Sequence, residues 1–304
     1  MIVYGTVCLD RFVLTGQSDG DATEFPGGEA FNTATALAGW GVPVTLTGTA
    51  IGDDAEGLRL RELLRTHPLA SGIDLSLVPL VFGAGTPVCT VRVDETGERF
   101  MSGRGFQEVT APKLETILSR FADRPLFTVD PNLGENAIEA TLAAADAGCA
   151  VVSMDCAHLP DVLAASEIAV TSSEWVSRLS LGSTPAALRH MVSGGAKLAV
   201  VTEGVKGGEC LRSGEVQSWR FPAAVPPSPI LDTTGAGDTF RAMLCYCLNL
   251  RLTYGQERSD FSDTTFVRFA SAAAALHCTI LGGGSRFPVE TVNGLASRVG
   301  VRQL

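Results

Sequence analysis

The stretch that decides both the fold and the chemistry is "LDTTGAGDTFRAML", Leu231–Leu244. Gly235, Ala236 and Gly237 stand between two threonines and an acid, Asp238, and an apolar segment of helical character follows directly. A helix that begins among such small residues leaves its unpaired N–H groups open to an approaching anion. Asp238, in the first turn, places a carboxylate beside that anion. The pattern therefore indicates phosphoryl transfer to an alcohol, with Asp238 taking the proton of the attacking hydroxyl.

The same stretch also has a purely structural interpretation, in which Thr234 caps the helix, the glycines form a turn and Asp238 complements the helix dipole. Two other phosphate-binding loops do not match. The chain contains no G-x-x-x-x-G-K-[ST] sequence, which disfavours a P-loop kinase. "GAGDTF" lacks the last glycine of a dinucleotide fingerprint and lies late in the chain.

Apolar runs and helical segments alternate along most of the chain. The runs predicted to be buried strands are "IVYGTV", "PVTLTGTAIG", "LFTVDPN", "AVVSMDC", "EIAVTSS" and "KLAVVTEG". Helical segments such as "EAFNTATALAGWG" and "AIEATLAAADAG" separate them. Strands that are apolar throughout and separated by helices predict an α/β fold with a mainly parallel sheet, covered on both faces.

Residues 11–26 and 79–106 break this rhythm, because they alternate in polarity without intervening helices. "TPVCTVRVDETGERFMSG" has the form of a β-hairpin with "ETG" as its turn. We expect these strands to pair with one another as a small sheet. It would form a lid over the open edge of a single domain that spans residues 1–304.

Composition excludes several classes of partner. The 304 residues carry a formal net charge of −10 without a basic cluster, which argues against nucleic acid and anionic membranes. No apolar run is long enough to span a bilayer, and the short apolar N-terminus lacks the features of a secretory signal. The eight cysteines form no C-x-x-C pair and are predicted to be reduced core residues of a cytoplasmic protein. The four histidines stand alone and are predicted to pack or to face solvent rather than to bind zinc.

Over nearly its whole length the chain resembles the ribokinase-like (PfkB) carbohydrate and nucleoside kinases. "GGEAFNTATALAGWG" (27–41) and "DTTGAGDTF" (232–240) resemble the two signature regions of that family. Between them, "GDDAEG" (52–57), "DPN" (130–132) and "TEGVKG" (202–207) follow in family order. The resemblance implies a three-layer α/β/α domain with a mainly parallel central sheet and a small β-sheet lid. It also implies transfer of the γ-phosphoryl group of ATP to a hydroxymethyl group of a sugar or nucleoside.

The resemblance further implies roles for individual residues. Asp238 would be the catalytic base, and the backbone amides of Gly235, Ala236 and Gly237 would form the anion hole. Substrate hydroxyls would be held by Asp10, Gly28 and Asn32 together with Asp238. The chemistry fits, because a carboxylate accepts hydroxyl hydrogens, an amide both donates and accepts, and a glycine leaves room for the sugar.

The implied cofactors are ATP, Mg²⁺ and, in many members, a monovalent cation such as K⁺. ATP would lie against the loop that holds Thr202, Gly204 and Gly207, with Gly237 on its other side. Glu174 would hold Mg²⁺ through water, and Asp232 and Thr234 would bind the monovalent cation. The segment "AALHCTILGGGSRFP" would border the adenine and that cation.

Two departures from the family pattern concern the phosphate side. Thr171 stands where an N-x-x-E motif has asparagine, and Gly134 stands where sugar kinases often carry an arginine after "DPN". Lys206 or Arg104 could supply the missing positive charge. These departures keep an alternative open: a catalytically impaired relative that binds a sugar or nucleotide as a sensor or scaffold.

Two further departures concern the acceptor. Cys8 and Glu29 replace an asparagine and a lysine of ribokinases proper, which argues against simple D-ribose specificity. Glu29 would repel an acidic or phosphorylated acceptor, so we expect a neutral polyhydroxy acceptor or one with a cationic or base-like group. Alternatively, Glu29 only opens its helix and complements the dipole. Open lid edges and the resemblance together predict a homodimer through the lid.

Overall fold

The structure is a computed structural model that describes residues 1–304 apart from 15, 17, 94–98, 107–109, 123–125, 256–261 and 281–286. Its strands in chain order are β1 (Ile2–Tyr4), β2 (Cys8–Leu14), β3 (Thr23–Gly27), β4 (Val44–Thr47), β5 (Ile51–Gly52), β6 (Ile73–Leu77), β7 (Leu80–Val81), β8 (Val88–Val93), β9 (Arg99–Arg104), β10 (Leu126–Val129), β11 (Ala150–Met154), β12 (Ser166–Ser172), β13 (Leu198–Thr202), β14 (Gly208–Arg212), β15 (Trp219–Phe221) and β16 (Arg302–Gln303). Its helices are α1 (Glu29–Gly39), α2 (Ala55–Thr66), α3 (Leu114–Phe121), α4 (Glu135–Asp146), α5 (Pro160–Ala165), α6 (Ser173–Arg178), α7 (Thr184–Ser193), α8 (Ala236–Tyr254), α9 (Asp263–His277) and α10 (Val289–Ala296). Among the described residues, no helix is both long enough and apolar enough to cross a membrane.

The large sheet has the strand order β16-β15-β14-β13-β12-β11-β10-β1-β4-β6. From β6 to β13 all neighbours are parallel, and β14, β15 and β16 extend the sheet with antiparallel pairs. Central strands such as β4 and β10 are buried at every residue, because helices cover both faces. The predicted mainly parallel sheet is confirmed.

Alternate side chains of these strands pack into two different hydrophobic cores. Val3, for example, belongs to a cluster with residues of α1, α8, α9 and α10, whereas Ile2 and Tyr4 pack with residues of α3 and α4. A third cluster joins α7 to β12 and β13. Because successive side chains of a strand point to opposite faces, this division gives a three-layer α/β/α arrangement.

A smaller four-stranded sheet has the order β3-β2-β8-β9, with β2 and β8 parallel and the outer pairs antiparallel. It uses the two polar-alternating segments that the sequence set apart, although β2 begins at Cys8 rather than at residue 11. The strands of the predicted hairpin are β8 and β9. Its "ETG" turn, residues 95–97, lies outside the described residues.

Several polar side chains lie together at one edge of the large sheet. Asp130 follows β10, Asp155 follows β11, and Thr202 ends β13, so all three lie at the carboxyl ends of parallel strands. Ligands of open α/β sheets bind in the crevice outside that edge. The N-termini of α1 and α8 contribute to the same region, since the two helices pack together and Asn32 of α1 contacts Asp238 of α8.

Candidate active site

The quoted motif forms a tight turn that ends in helix α8. Gly235 precedes the helix with φ 79°, a left-handed conformation that favours glycine. The amide of Ala236 donates to Thr233 O at 3.2 Å, and the amide of Thr234 donates to Asp232 Oδ1 at 2.7 Å. An anion at this helix mouth would therefore have to share or displace the Ala236 hydrogen bond.

Asp238 lies in the first turn of α8 with only 6% of its surface exposed. Asn32 Nδ2 donates to Asp238 Oδ2 at 2.9 Å, and Arg241 Nη2 lies 3.7 Å from Asp238 Oδ1. Burial raises the pKa of Asp238, and the negative charge of Asp130 adds to the rise. The Arg241 guanidinium and the Asn32 hydrogen bond oppose this, so these two side chains favour the ionised form that a base needs.

The predicted substrate residues Asp10 and Asn32 both lie near Asp238: Asn32 bonds to its carboxylate, and Asp10 is close enough to be affected by its charge. Cys8 Sγ donates to Asp10 Oδ1 at 3.2 Å. Burial raises the pKa of Asp10 to about 6; the Cys8 hydrogen bond opposes the rise, and the nearby Asp238 charge contributes to it. Asn32 Oδ1 is buried without a hydrogen-bond partner in the part of the chain that the structure describes. This oxygen and the Asp10 carboxylate suit substrate hydroxyls.

Gly28 is a glycine for a reason that the sequence did not reveal. Its φ is 95°, and a Cβ here would lie 2.3 Å from the backbone oxygen of Thr6. The same oxygen accepts the amide of Ala30 at 3.1 Å. Close packing of α1 against the chain after β1 therefore requires glycine, whatever the needs of a bound sugar.

Glu29 opens α1 beside this pocket. Asn132 Nδ2 donates to its Oε1 at 3.2 Å, while Oε2 is buried without a partner among the described residues. Burial, followed by the charges of Asp130 and Asp238, raises the pKa of Glu29 well above its usual range. Burial disfavours the charged form of this carboxyl group, which works against the repulsion of acidic acceptors that the sequence predicted.

Asp155 is a site residue that sequence reasoning missed. It follows β11 with φ 55°, and its Oδ1 accepts from Thr171 Oγ1 at 2.7 Å and from Ser172 N at 3.2 Å. Burial raises its pKa to about 6, against the lowering effect of these hydrogen bonds and of Arg241. An acid directly after the apolar run "AVVSM" was the available signal.

The two departures on the phosphate side have structural explanations. The Thr171 hydroxyl is buried and bonds to Asp155, so it orders that carboxylate. Gly134 has φ 53° and ψ −126°, and it joins the turn Pro131–Leu133 to α4 in a conformation that an arginine would adopt only with strain. Of the two substitute cations, Arg104 pairs with Glu56 on α2, and Lys206 is exposed on the loop before Gly207.

A cleft of about 400 Å³ opens on the other side of the α8 mouth. It brings together the residues predicted to hold ATP, namely Thr202, Gly204, Gly207 and Gly237. Its remaining lining is mostly apolar and includes Val205, Phe221, Ala224, Val225, Pro226, Ile230, Ala274, Ala275 and Cys278. A Cβ on Gly207 would lie 2.1 Å from Phe221 O, so the loop fits only as glycine. The apolar walls suit an adenine ring, and the glycine-rich loops beside the N-terminus of the helix suit phosphates.

The segment predicted to border adenine reaches this cleft through Ala274, Ala275 and Cys278. Its central residues 281–286 lie outside the described residues.

Glu174 fits a water-mediated role toward Mg²⁺. It lies in the first turn of α6, directly after β12, and its side chain is 81% exposed. Its ion pair with Arg178, 3.5 Å long, is solvated and therefore readily exchanged. No group of three or more acids, histidines and cysteines suited to direct metal binding occurs in the described ranges.

One of the residues predicted to bind a monovalent cation, Thr234, has a buried histidine against its backbone oxygen. His277 is fully buried at the end of α9, and its Nε2 lies 2.6 Å from Thr234 O. Because a carbonyl oxygen only accepts, Nε2 must donate, and this hydrogen bond uses one of the two acceptor positions of the oxygen. A lone histidine in the sequence is no signal for this contact.

Comparisons with known proteins identify the family and the fold. The model of the pfkB family of carbohydrate kinases matches residues 2–290. A fructokinase of Rhizobium leguminosarum bv. trifolii is 28% identical over 74% of this chain and 72% of its own length. An acarbose 7(IV)-phosphotransferase of an Actinoplanes species is 31% identical over 35% of this chain, which spans only 33% of that protein.

Among solved structures, a ribokinase of Arabidopsis thaliana complexed with ribose and ATP superposes with a TM-score of 0.78 at 21% identity, covering 97% of both chains. This likeness confirms the ribokinase-like fold. The family match spans nearly the whole chain, and it includes both glycine-rich segments and the helix mouth described above. The chain therefore belongs to the pfkB family of carbohydrate kinases, which are phosphotransferases with an alcohol group as acceptor.

Proposed function

We propose that the chain transfers the γ-phosphoryl group of ATP to a hydroxymethyl group of a sugar, or of the sugar part of a nucleoside, with Asp238 as general base. One observation carries the proposal. Asp238 is buried where two sites meet: Asn32, on the acceptor side, bonds to its carboxylate. Its neighbour Gly237 lines the cleft that suits ATP.

In this mechanism the adenine lies against the apolar wall of the cleft, and the phosphates follow Gly204 and Gly207 toward the mouth of α8. Asp10 and Asn32 orient the acceptor so that its hydroxyl points at the γ-phosphorus. Asp238 accepts the hydroxyl proton as the new O–P bond forms, and the bond to the β–γ bridging oxygen breaks to release ADP. Bound Mg²⁺, held near Glu174 through water, would neutralise phosphate charge. The positive end of α8 and the backbone amides at its mouth stabilise the transferred group.

The small sheet completes the proposal as a lid. Asp10 lies on β2 of that sheet and is partly buried. Closure of the sheet over a bound acceptor would exclude water and so limit ATP hydrolysis.

The pocket favours a neutral polyol as acceptor. Asp10 offers hydrogen-bond acceptors, Asn32 Oδ1 is unpartnered among the described residues, and Glu29 places a carboxyl group rather than a cation beside them. We therefore expect pentoses, hexoses or ketoses rather than sugar phosphates. The name of the Rhizobium relative makes fructose the first acceptor to try.

The direct test is an ADP-release assay with Mg²⁺-ATP over a panel of pentoses, hexoses, ketoses, aminosugars, sugar phosphates and nucleosides. The proposal expects acceptor-dependent ADP release with at least one neutral sugar, and a phosphorylated product by mass spectrometry. Binding of ATP and sugar without any product would instead support the impaired sensor or scaffold.

We also propose a cytoplasmic homodimer that pairs through the small sheet. Seven of the eight cysteines are buried, which suits a reducing compartment. Phe25, Phe100 and Met101 on the small sheet are 38%, 56% and 67% exposed, an apolar surface that a second copy would cover. Light scattering should give twice the monomer mass for the wild type and a smaller mass for Met101→Glu. A wild-type monomer would refute the dimer.

A further inference from the structure

Arg241 is an arginine buried completely inside the protein, one helical turn after Asp238. Its side chain has 0% exposure, and it lies at the i+3 position from Asp238 on α8. A guanidinium without compensating partners would cost several kcal/mol at such a place. Its surroundings must therefore supply both hydrogen-bond acceptors and negative charge.

The hydrogen bonds of Arg241 all go to uncharged acceptors. Nε donates to Thr33 Oγ1 at 3.0 Å, and Nη2 donates to Thr33 Oγ1 and to Glu29 O, each at 2.7 Å. Nη1 is buried and has no hydrogen-bond partner among the described residues. These bonds fix the guanidinium between the N-terminus of α1 and the first turn of α8, but they leave its charge uncompensated.

The compensating charge comes from carboxylates that converge on Arg241 from four elements. Asp238 lies on α8, Glu29 begins α1, Asp130 follows β10 and Asp155 follows β11. Burial raises the pKa of each of the four acids, and the Arg241 guanidinium lowers each of them. Two more groups affect the ionisation of Asp238. The negative charge of Asp10 on β2 disfavours the ionised form of Asp238, and His277 on α9 favours it.

We propose that Arg241 is a positioning residue for the base: its buried guanidinium keeps the Asp238 carboxylate charged and holds α1, with Asn32, in place beside it. The proposal rests on the proposed role of Asp238. Two consequences of the geometry distinguish this role from one in which Arg241 only holds α1 and α8 together. The charge of residue 241 should govern the pH dependence of turnover, and the removal of Asp238 should relieve the loss of Arg241.

The first experiment measures kcat/KM against pH for Arg241→Met and Arg241→Lys, using the acceptor found in the panel. Arg241→Met should move the acid limb upward by about one pH unit or more and lower turnover near pH 7 about tenfold. Arg241→Lys, which keeps the charge but loses the fork of hydrogen bonds, should keep its acid limb near that of the wild type. An unmoved limb in Arg241→Met, or equal shifts in both variants, would overturn the proposal.

The matched control is Arg251→Met. Arg251 is also a buried arginine of α8, 7% exposed, but it pairs with Glu167 and Asp263 away from the site. This variant reports the general cost of deleting a buried arginine from the same helix. It should lower the unfolding temperature and leave the acid limb where the wild type has it.

The second experiment needs no acceptor, and it remains decisive even if the panel yields no product. It compares the unfolding temperatures of Arg241→Met, Asp238→Asn and the double variant at pH 8. Arg241→Met alone strands a buried carboxylate, so the double variant should unfold at a higher temperature than Arg241→Met. A double variant no more stable than Arg241→Met would refute the charge pairing, whereas a missing kinase activity would refute only the proposed function.

Discussion

The nucleotide cleft gives the sharpest quantitative prediction, for the substitution Gly207→Ala. Gly207 has φ +86°, and a Cβ added there would lie 2.1 Å from Phe221 O and 2.5 Å from the Pro222 carbonyl carbon. Both neighbours are backbone atoms, so no side-chain rotation relieves the contact. The loop between Thr202 and β14 must move by more than about 1 Å to restore ordinary van der Waals separation.

The magnitude follows from two terms. The left-handed conformation costs an alanine about 1–2 kcal/mol, and the forced displacement adds about 1–3 kcal/mol. Gly214→Ala is the matched control. Gly214 has nearly the same φ, +87°, in the turn between β14 and β15, and no atom of the described residues lies within 4 Å of its added Cβ. The control should therefore lose only the first term.

The assay is ATP binding by titration calorimetry, together with denaturant unfolding of the same variants. Because Gly207 lines the cleft, Gly207→Ala should weaken ATP binding about tenfold, or about 1.4 kcal/mol, whereas Gly214→Ala should bind as the wild type does. The unfolding free energy should fall by about 2–5 kcal/mol for Gly207→Ala. Wild-type ATP affinity in a folded Gly207→Ala would refute the assignment of the cleft.

Three other predictions concern the remaining parts of the site. Asn32→Ala removes a charge-assisted hydrogen bond to Asp238, so kcat/KM should fall about 10- to 100-fold and its acid limb should move to higher pH; an unchanged pH–rate profile would contradict this. Turnover should differ little between K⁺ and choline, because the His277 hydrogen bond competes with a cation for Thr234 O; several-fold activation by K⁺ would contradict this competition. Burial raises the pKa of Asp10 to about 6, so the folded protein holds this proton more tightly than the unfolded chain does, and the folded state loses stability as the pH rises from the ordinary pKa of an aspartate to about 6. Asp10→Asn should therefore unfold at a higher temperature than the wild type at pH 8 but not at pH 4. Equal unfolding temperatures at pH 8 would contradict the cost of this buried charge.

Most of the fold could be predicted from local sequence patterns. Fully apolar strands between helices predicted a parallel sheet, and β4, β10 and β13 are parallel strands of its core. Period-two alternation set apart the strands of the small sheet. The parallel pairing of β2 with β8 was not readable, since about seventy residues separate them and pairing partners depend on tertiary packing.

The site was predictable where chemistry and spacing coincide in one short stretch, as in "GAGD". It was not predictable where the function of a residue depends on distant neighbours. From the sequence alone, Arg241 looks like an exposed polar residue of an amphipathic helix. It is a buried cation because α1 packs against α8 at this point. His277 and Asp155 were missed for the same reason, because their partners Thr234 and Thr171 lie elsewhere in the sequence.

The central claim is that Asp238 removes the proton from the acceptor hydroxyl. A single-turnover measurement with Asp238→Asn, preloaded with Mg²⁺-ATP and mixed with the acceptor, tests it most directly. Asparagine keeps the shape of the side chain and loses the base, so phosphoryl transfer should fall by about 10²–10⁴-fold while ATP affinity stays near that of the wild type. Transfer at a rate close to that of the wild type would contradict the claim.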